Sequence, residues 1–328
     1  MTHAPIDPEL LVRPLERALP SPVRVDPLRR LSGGASRETW AFDATDGSGR
    51  AHGLVLRRDH GGAGASDRTT EFELLRSLAG TGVPVPTVVV LLGPDDGLGS
   101  GFVMHRVEGE TIPRRILRDE AYARARTRLA SQCGEVAARI HGLDTGALPA
   151  LPVAGARSQL DQQRGLLDAL GEPHPAFELA LRALAERVPP EPREPCLVHG
   201  DFRNGNLVVG ADGLEAVLDW ELSHLGDPLE DLGWCCVRSW RFGVDRVVGG
   251  FGTLDDLLDA YAATSGARPD PEHVRFWTTL GTLKWGVICI AQSFTHLHGL
   301  VRSVELAALG RRVAETEWDV LDLLEGGW

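Results

Sequence analysis

Between residues 196 and 219 the chain reads CLVHGDFRNGNLVVGADGLEAVLD. Two short apolar runs, 207–209 and 215–218, flank a GADG turn, a pattern that predicts an antiparallel hairpin. In such a hairpin Asn206 and Asp219 emerge at the same open end. A carbonyl oxygen and a carboxylate held together are hard ligands suited to Mg²⁺, a cation that keeps the rest of its shell for water and phosphate. Asp201, five residues before Asn206, lies on the loop feeding the first strand and is positioned to accept a proton from an incoming hydroxyl. One base and two metal ligands are what phosphoryl transfer requires, because positioning and charge neutralisation supply most of its catalysis. Two other readings stand beside this one. His199-x-Asp201 offers two arms of the facial triad that holds non-haem iron, which would need a third ligand on a distant strand inside a barrel. Alternatively, His199, Asp201 and Asn206 only cap turns.

The elements that must carry these residues change character along the chain. ETWAFDA (38–44) and HGLVLRR (52–58) flank the turn cluster TDGSG and read as paired strands. DHGGAGASDR (59–68) is too small and polar to pack and reads as a loop. TTEFELLRSLA (69–79) puts Phe72, Leu75 and Leu78 or Ala79 on one helical face and stops at Gly80 and Gly82. The strands PTVVVLLG and GFVMHRVEG follow. Beyond Gly109 helical spacing dominates: Leu129, Cys133, Val136, Ala137 and Ile140 within 119–142; Phe276, Leu280, Leu283, Val287 and Ile290; then Leu306, Leu309, Val313, Leu321 and Leu324 as one final helix. A boundary near 104–109 therefore separates a small strand-rich part from a larger helical one.

The 328 residues hold 34 Lys and Arg against 46 Asp and Glu, a formal charge of −12, which speaks against a general nucleic-acid binder. Five cysteines without a CxxC pair argue for reduced thiols and a cytoplasmic setting, and the Cys235–Cys236 pair reads as buried and inert. The first twenty residues lack the basic start and apolar core of a secretion signal, and no apolar run approaches the ~18 residues of a membrane span. Lys284 is the one lysine, so the other 33 basic side chains are arginines and chemistry that elsewhere uses lysine here uses arginine. Arg203 either binds a phosphate or acidic substrate or pairs with a nearby carboxylate. Trp234, Trp240, Trp277 and Trp285 either line an acceptor site or fill the core.

LVHGDFRNGNLVV followed by LDWELSHLGDPLEDLGW resembles the signature of the aminoglycoside phosphotransferase and choline kinase family. The resemblance implies an α+β, two-lobed, protein-kinase-like fold: a nucleotide-binding lobe of antiparallel sheet and one helix over 1–106, and a mainly helical catalytic and substrate-binding lobe over 107–328. It implies Asp201 as catalytic base, Asn206 and Asp219 as metal ligands, and His199 as support for their loop. Asp227 and Asp231 then either brace that loop or cap the following helix. In LSGGASRETW, Gly33, Gly34 and Ser36 stand at a turn where backbone N–H groups could approach phosphate, although a plain turn is the simpler reading. VLRRD offers Arg57 in place of the strand lysine that grips the α- and β-phosphates, with Glu71 as its helix partner and Arg58 pointing the other way. The residues after Met104 resemble the hinge, with the His105 carbonyl and the Val107 amide as adenine contacts. The implied activity is a small-molecule kinase using Mg²⁺ and ATP, with GTP open as donor. GGASRETW, VLRR, GVPVP, HGDFRNGNL and LDWELSHLGDP are most similar to the branch fused to certain acyl-CoA dehydrogenases and its free-standing bacterial relatives. That branch implies a hydroxyacyl-CoA or related hydroxy acid as acceptor. An aminoglycoside O-phosphotransferase and a non-catalytic nucleotide-binding protein remain as alternatives, and a small-molecule hydroxyl substrate is expected rather than nucleic acid or membrane.

Overall fold

Along ETWAFDAT and HGLVLRRD the alternation puts Trp40, Phe42, Leu54 and Leu56 on one buried face and Ala41, Val55 and Arg57 on the other, also buried. The structure, a computed structural model, describes residues 6–31, 37–59 and 68–328. Two units emerge, Met1–Glu108 with Gly146–Ala150, and Gly109–Thr145 with Leu151–Trp328.

The first unit runs through helix α1 (Glu9–Glu16), strands β1 (Arg24–Val25), β2 (Arg29–Arg30), β3 (Arg37–Thr45) and β4 (Ala51–Asp59), helix α2 (Thr69–Leu78), and strands β5 (Val88–Leu91) and β6 (Gly101–His105). The strands make an antiparallel sheet in the order β1-β3-β4-β6-β5, with β2 on β3. Trp40, Phe42, Leu54, Leu56 and Val103 share one face and pack with Leu11 and Leu15 of α1. Register pairs Arg57 with Phe102 on the other face, and Phe72 of α2 meets the Phe102 ring edge-on at 6.0 Å. Helix α1 goes beyond the sequence reading, which saw in this segment only the lack of a signal. Leu11 and Leu15, four apart on one helical face, are both fully buried, and each burial contributes about 2 kcal/mol.

The second unit holds α3 (Pro113–Arg118), α4 (Ala123–Arg126), α5 (Leu129–His141), α6 (Ala156–Leu170), α7 (Pro175–Ala185), β7 (Cys196–Val198), β8 (Leu207–Val209), β9 (Leu214–Val217), β10 (His224–Gly226), α8 (Leu229–Cys236), α9 (Leu254–Ser265), α10 (Pro271–Leu297), α11 (Val304–Gly310) and α12 (Val313–Leu324). Strands β8 and β9 form the expected hairpin, with Leu207 opposite Val217, while β10 pairs antiparallel with β7. Helix α10 is the axis of this unit and touches α8, α11 and α12. Gly233 lets α8 approach it closely, since a Cβ there would stand 2.5 Å from the Trp277 Cβ. Two expected helices are each split. The 119–142 segment breaks between Arg126 and Leu129, and the final helix breaks between Gly310 and Val313. Gly310, a poor helix former, is the last residue of α11, and a Cβ there would stand 2.8 Å from the Ser293 Cβ of α10.

Candidate active site

The loop after β7 is tied from below by a carboxylate with no solvent contact. Asp231, on α8, accepts the backbone N–H of His199 at 2.8 Å and of Gly200 at 3.0 Å. His141 of α5 donates Nε2–H to the same carboxylate at 3.1 Å, and its Nδ1 lies 3.1 Å from the Tyr261 hydroxyl of α9. Burial alone would raise the Asp231 carboxyl, but the hydrogen bond and charge of His141, with His199 nearby, outweigh it and hold the group below its ordinary range. Gly200 has φ +80° and a Cβ would stand 2.5 Å from the Leu222 carbonyl oxygen, so only glycine fits this corner. Of the two readings for the GDP-x-x-D carboxylates, each is right for one residue. Asp231 braces the loop, whereas Asp227 caps α8 by accepting the Leu229 N–H at 2.8 Å and binds His273 at 2.7 Å.

His199 is fully buried between loop and hairpin. The Asp201 N–H donates to its Nδ1 at 3.1 Å, so Nε2 carries the proton and donates to the Leu218 carbonyl at 3.0 Å. Its ring meets Trp220 edge-on at 4.6 Å. Both imidazole nitrogens are thereby occupied, and among the described residues no group of three His, Cys, Asp or Glu gathers around a common point. The donor chemistry of the iron alternative is therefore missing.

Asp201 receives three donors. Its Oδ1 accepts from Arg203 Nε at 2.8 Å and from the Trp234 indole N–H at 2.6 Å, and its Oδ2 accepts from Asn206 Nδ2 at 2.6 Å. Arg203 thus pairs with a carboxylate, as one of its two readings held, and its guanidinium also lies 4.4 Å over the Trp240 ring. Asn206 spends its amide nitrogen on Asp201, including the backbone oxygen at 3.0 Å, which turns its carbonyl oxygen away as the hard donor. The Asn206 backbone carbonyl accepts the Leu218 N–H at 2.8 Å, bringing the residue before Asp219 against Asn206. Asp219 then adopts φ +70°, a left-handed conformation that a non-glycine residue holds only under constraint. The constraint is visible, because the Trp220 indole N–H holds the Val217 carbonyl at 3.0 Å while His199 holds that of Leu218. Oxygen donors from Asn206 and Asp219, one amide and one carboxylate, fit a Mg²⁺ ion and suit a soft metal poorly.

In the first unit Arg57 Nη1 stands 2.9 Å from Glu71 Oε1, an ion contact whose angle lies outside hydrogen-bond geometry. Arg58 points to the opposite face and meets Glu38 at 2.6 Å. Sequence reading missed the rest of this cluster: Arg68 binds Glu71 Oε2 at 3.1 Å and Asp59 at 2.5 Å, so Glu71 serves two buried arginines. The His105 N–H is used within the sheet, donating to the Thr87 carbonyl at 2.8 Å, while among the described residues the Val107 N–H has no acceptor. Gly33, Gly34 and Ser36 lie outside the described residues.

Trp234, Trp240 and Trp277 are buried, with Trp285 packed on the first two, so these rings belong chiefly to the core. Trp234 nevertheless reaches Asp201, which no spacing in the sequence announced. Lys284 Nζ lies 5.2 Å over the Trp234 ring and 3.7 Å from Glu230. A hydrogen bond with Cys133, then burial, keeps the Cys235 thiol protonated, and burial does the same for Cys236. No helix among the described residues is long and apolar enough to cross a membrane.

Comparison with known proteins agrees with this geometry. The model of the phosphotransferase enzyme family matches residues 27–277. Acyl-CoA dehydrogenase family member 10 of Mus musculus is 31% identical over 81% of this chain and 27% of its own length. Streptomycin 3''-kinase of Streptomyces griseus is 28% identical over 68% of this chain and 82% of its own. The chain spans 27% and 38% of the first two curated relatives it matches. A crystal structure from Ralstonia eutropha, assigned to the aminoglycoside phosphotransferases, superposes with a TM-score of 0.75 at 21% identity, covering 97% of this chain and 98% of that one, which is a likeness of fold. The fold is kinase-like, and with a family match over most of its length the chain belongs to the phosphotransferase enzyme family, whose members move phosphoryl groups.

Proposed function

We propose that the chain transfers the γ-phosphoryl group of ATP to a hydroxyl of a small molecule, with the first unit holding nucleotide and the second unit performing the transfer. The observation that carries this reading is the 2.6 Å bond from Asn206 to Asp201 within a loop braced by Asp231, because it locks a base and a metal ligand into one rigid piece. Oδ1 of Asp201 already accepts two hydrogen bonds and Oδ2 one, so Oδ2 has capacity for the substrate hydroxyl. Asp201 would orient that hydroxyl and receive its proton as the bond to phosphorus forms. Asn206 and Asp219 would hold Mg²⁺, which when bound neutralises charge on the phosphates. Arg57 would grip the α- and β-phosphates. Its pairing with Glu71 fixes the planar guanidinium, which presents two parallel N–H bonds where a lysine presents a point charge. The Val107 N–H would meet adenine.

The relatives support a hydroxyacyl-CoA or related hydroxy acid as acceptor, since the chain aligns with acyl-CoA dehydrogenase family members over 81% and 84% of its length. The streptomycin kinase relative favours an aminoglycoside as the second reading. Phosphate transfer from labelled ATP to hydroxyacyl-CoA thioesters and to kanamycin-like amines, assayed side by side, decides between them. Asp201→Ala should abolish transfer and retain nucleotide binding, and loss of both would contradict its role. Asp219→Asn should weaken Mg²⁺-dependent nucleotide binding, and an unchanged metal titration would count against it. Slow Mg²⁺-dependent ATP hydrolysis by the unmodified chain would dispose of a non-catalytic scaffold.

A further inference from the structure

We propose that a cavity of about 660 Å³ lined by Arg114, Arg238, Arg312 and Trp318 is the subsite for a phosphate-bearing nucleotide handle of the acceptor, a deepening that rests on the acyl-CoA reading above. All of its residues belong to the second unit, and the turn that walls it, 238–243, also reaches the catalytic loop. Trp240 of that turn carries the Arg203 guanidinium 4.4 Å over its ring, and Arg203 holds Asp201 at 2.8 Å. Asn204 of the catalytic loop donates to the Gly249 carbonyl at 2.7 Å, just beyond the same turn.

Beneath the wall, the turn buries a charge that no carboxylate contacts directly among the described residues. Arg241 is 3% exposed, yet its guanidinium makes one hydrogen bond, from Nη2 to the Cys236 carbonyl at 2.8 Å, and its buried Nε has no acceptor. Among the described residues no carboxylate forms an ion pair with it, although buried charges are normally paired. Its electrostatic neighbours include Arg238 and Asp319, both on the cavity wall. Arg238 already binds Asp319 at 3.1 Å and Asp322 at 2.6 Å, and Arg312 lies 3.3 Å from Glu315. The wall acids are thus engaged by other arginines, while Arg114 is exposed with no ion-pair partner among the described residues. Burial lowers the Arg241 guanidinium below its ordinary range, and its positive charge acts on the cavity from beneath the wall. Phe242, next in the turn, takes φ +48°, a strained conformation of the kind that clusters at ligand sites. Trp318, 69% exposed, lines the same cavity, a flat indole available to stack on a base, with Arg114 on the wall to meet phosphate.

The test is calorimetric binding of coenzyme A to the full chain, with ADP and Mg²⁺ in excess to fill the nucleotide site. The intact chain should bind coenzyme A, pantetheine should bind at least tenfold more weakly, and Arg114→Glu and Trp318→Ala should each weaken coenzyme A at least tenfold. Both substitutions are at exposed positions and leave the core intact. Arg241→Met should do the same, with its unfolding curve recorded alongside. Affinity unchanged within twofold in Arg114→Glu and Trp318→Ala, or equal binding of pantetheine, overturns the proposal. Binding is read without turnover, and Asp201→Ala should bind coenzyme A like the unaltered chain, so failure of phosphoryl transfer and failure of this subsite register separately.

Discussion

Replacing Trp234 by phenylalanine removes one N–H from Asp201 and leaves an aromatic ring in place. The indole donates to Asp201 Oδ1 at 2.6 Å, while its ring packs 5.4 Å from Trp240 and under the Lys284 ammonium. A hydrogen bond to a charged acceptor contributes about 1.5–3 kcal/mol. Arg203 still holds the same oxygen at 2.8 Å, so the lower end applies. At ~1.4 kcal/mol per decade, Trp234→Phe should lower kcat about tenfold. The KM for ATP should stay unchanged, because the lost contact orients the acceptor hydroxyl and touches no phosphate. Trimming a buried ring should also cost about 1 kcal/mol of stability, so urea unfolding is measured on the same sample. Steady-state kinetics at saturating ATP and acceptor give the answer. A folded variant with kcat within twofold of the parent refutes the idea that this indole positions the base.

Arg57→Met should raise the KM for ATP at least tenfold with a modest loss of stability, because Glu71 keeps its 3.1 Å contact with Arg68; an unchanged KM would remove Arg57 from phosphate binding. Asp231→Asn turns an acceptor into a donor facing two backbone N–H groups and His141, so unfolding should cost about 3–5 kcal/mol less, and a loss below about 1 kcal/mol would contradict the brace. The Asp231 carboxyl titrates below its ordinary value in the folded chain, so its contribution is complete above pH ~4 and disappears as pH falls through the folded value; the urea midpoint should drop there, and less steeply in Asp231→Asn. His224 has the opposite sign: burial opposes its charge, but Glu230 at 3.0 Å prevails and raises it, so its contribution is complete below pH ~6.5 and lost as pH rises through the folded value. Unfolding midpoints across that range should fall for the parent and flatten in His224→Gln.

The strands and the hairpin were legible because a period of two and a turn cluster act within a few residues. Thus β3 and β4 stand where paired runs around a turn cluster placed them, β8 and β9 where two apolar runs flank GADG, and Asp201, Asn206 and Asp219 could be singled out from one short stretch. Helix α1 escaped because eight residues, ELLVRPLE, are too few to establish a period and include a proline, and the splits near Thr127 and Arg311 escaped because local helical spacing continues across them. What surrounds the chosen residues was set elsewhere. Trp234 meets Asp201 across 33 positions, His141 meets Asp231 across 90, and Arg68 inserts itself between Glu71 and Asp59 from the start of α2. Local patterning decides which side of an element a residue occupies, but a hydrogen-bond partner depends on how that side is packed against others. The brace under the loop after β7, the third donor on Asp201 and the guanidinium of Arg241 without an ion pair therefore exist only once α5, α8 and α10 are packed together.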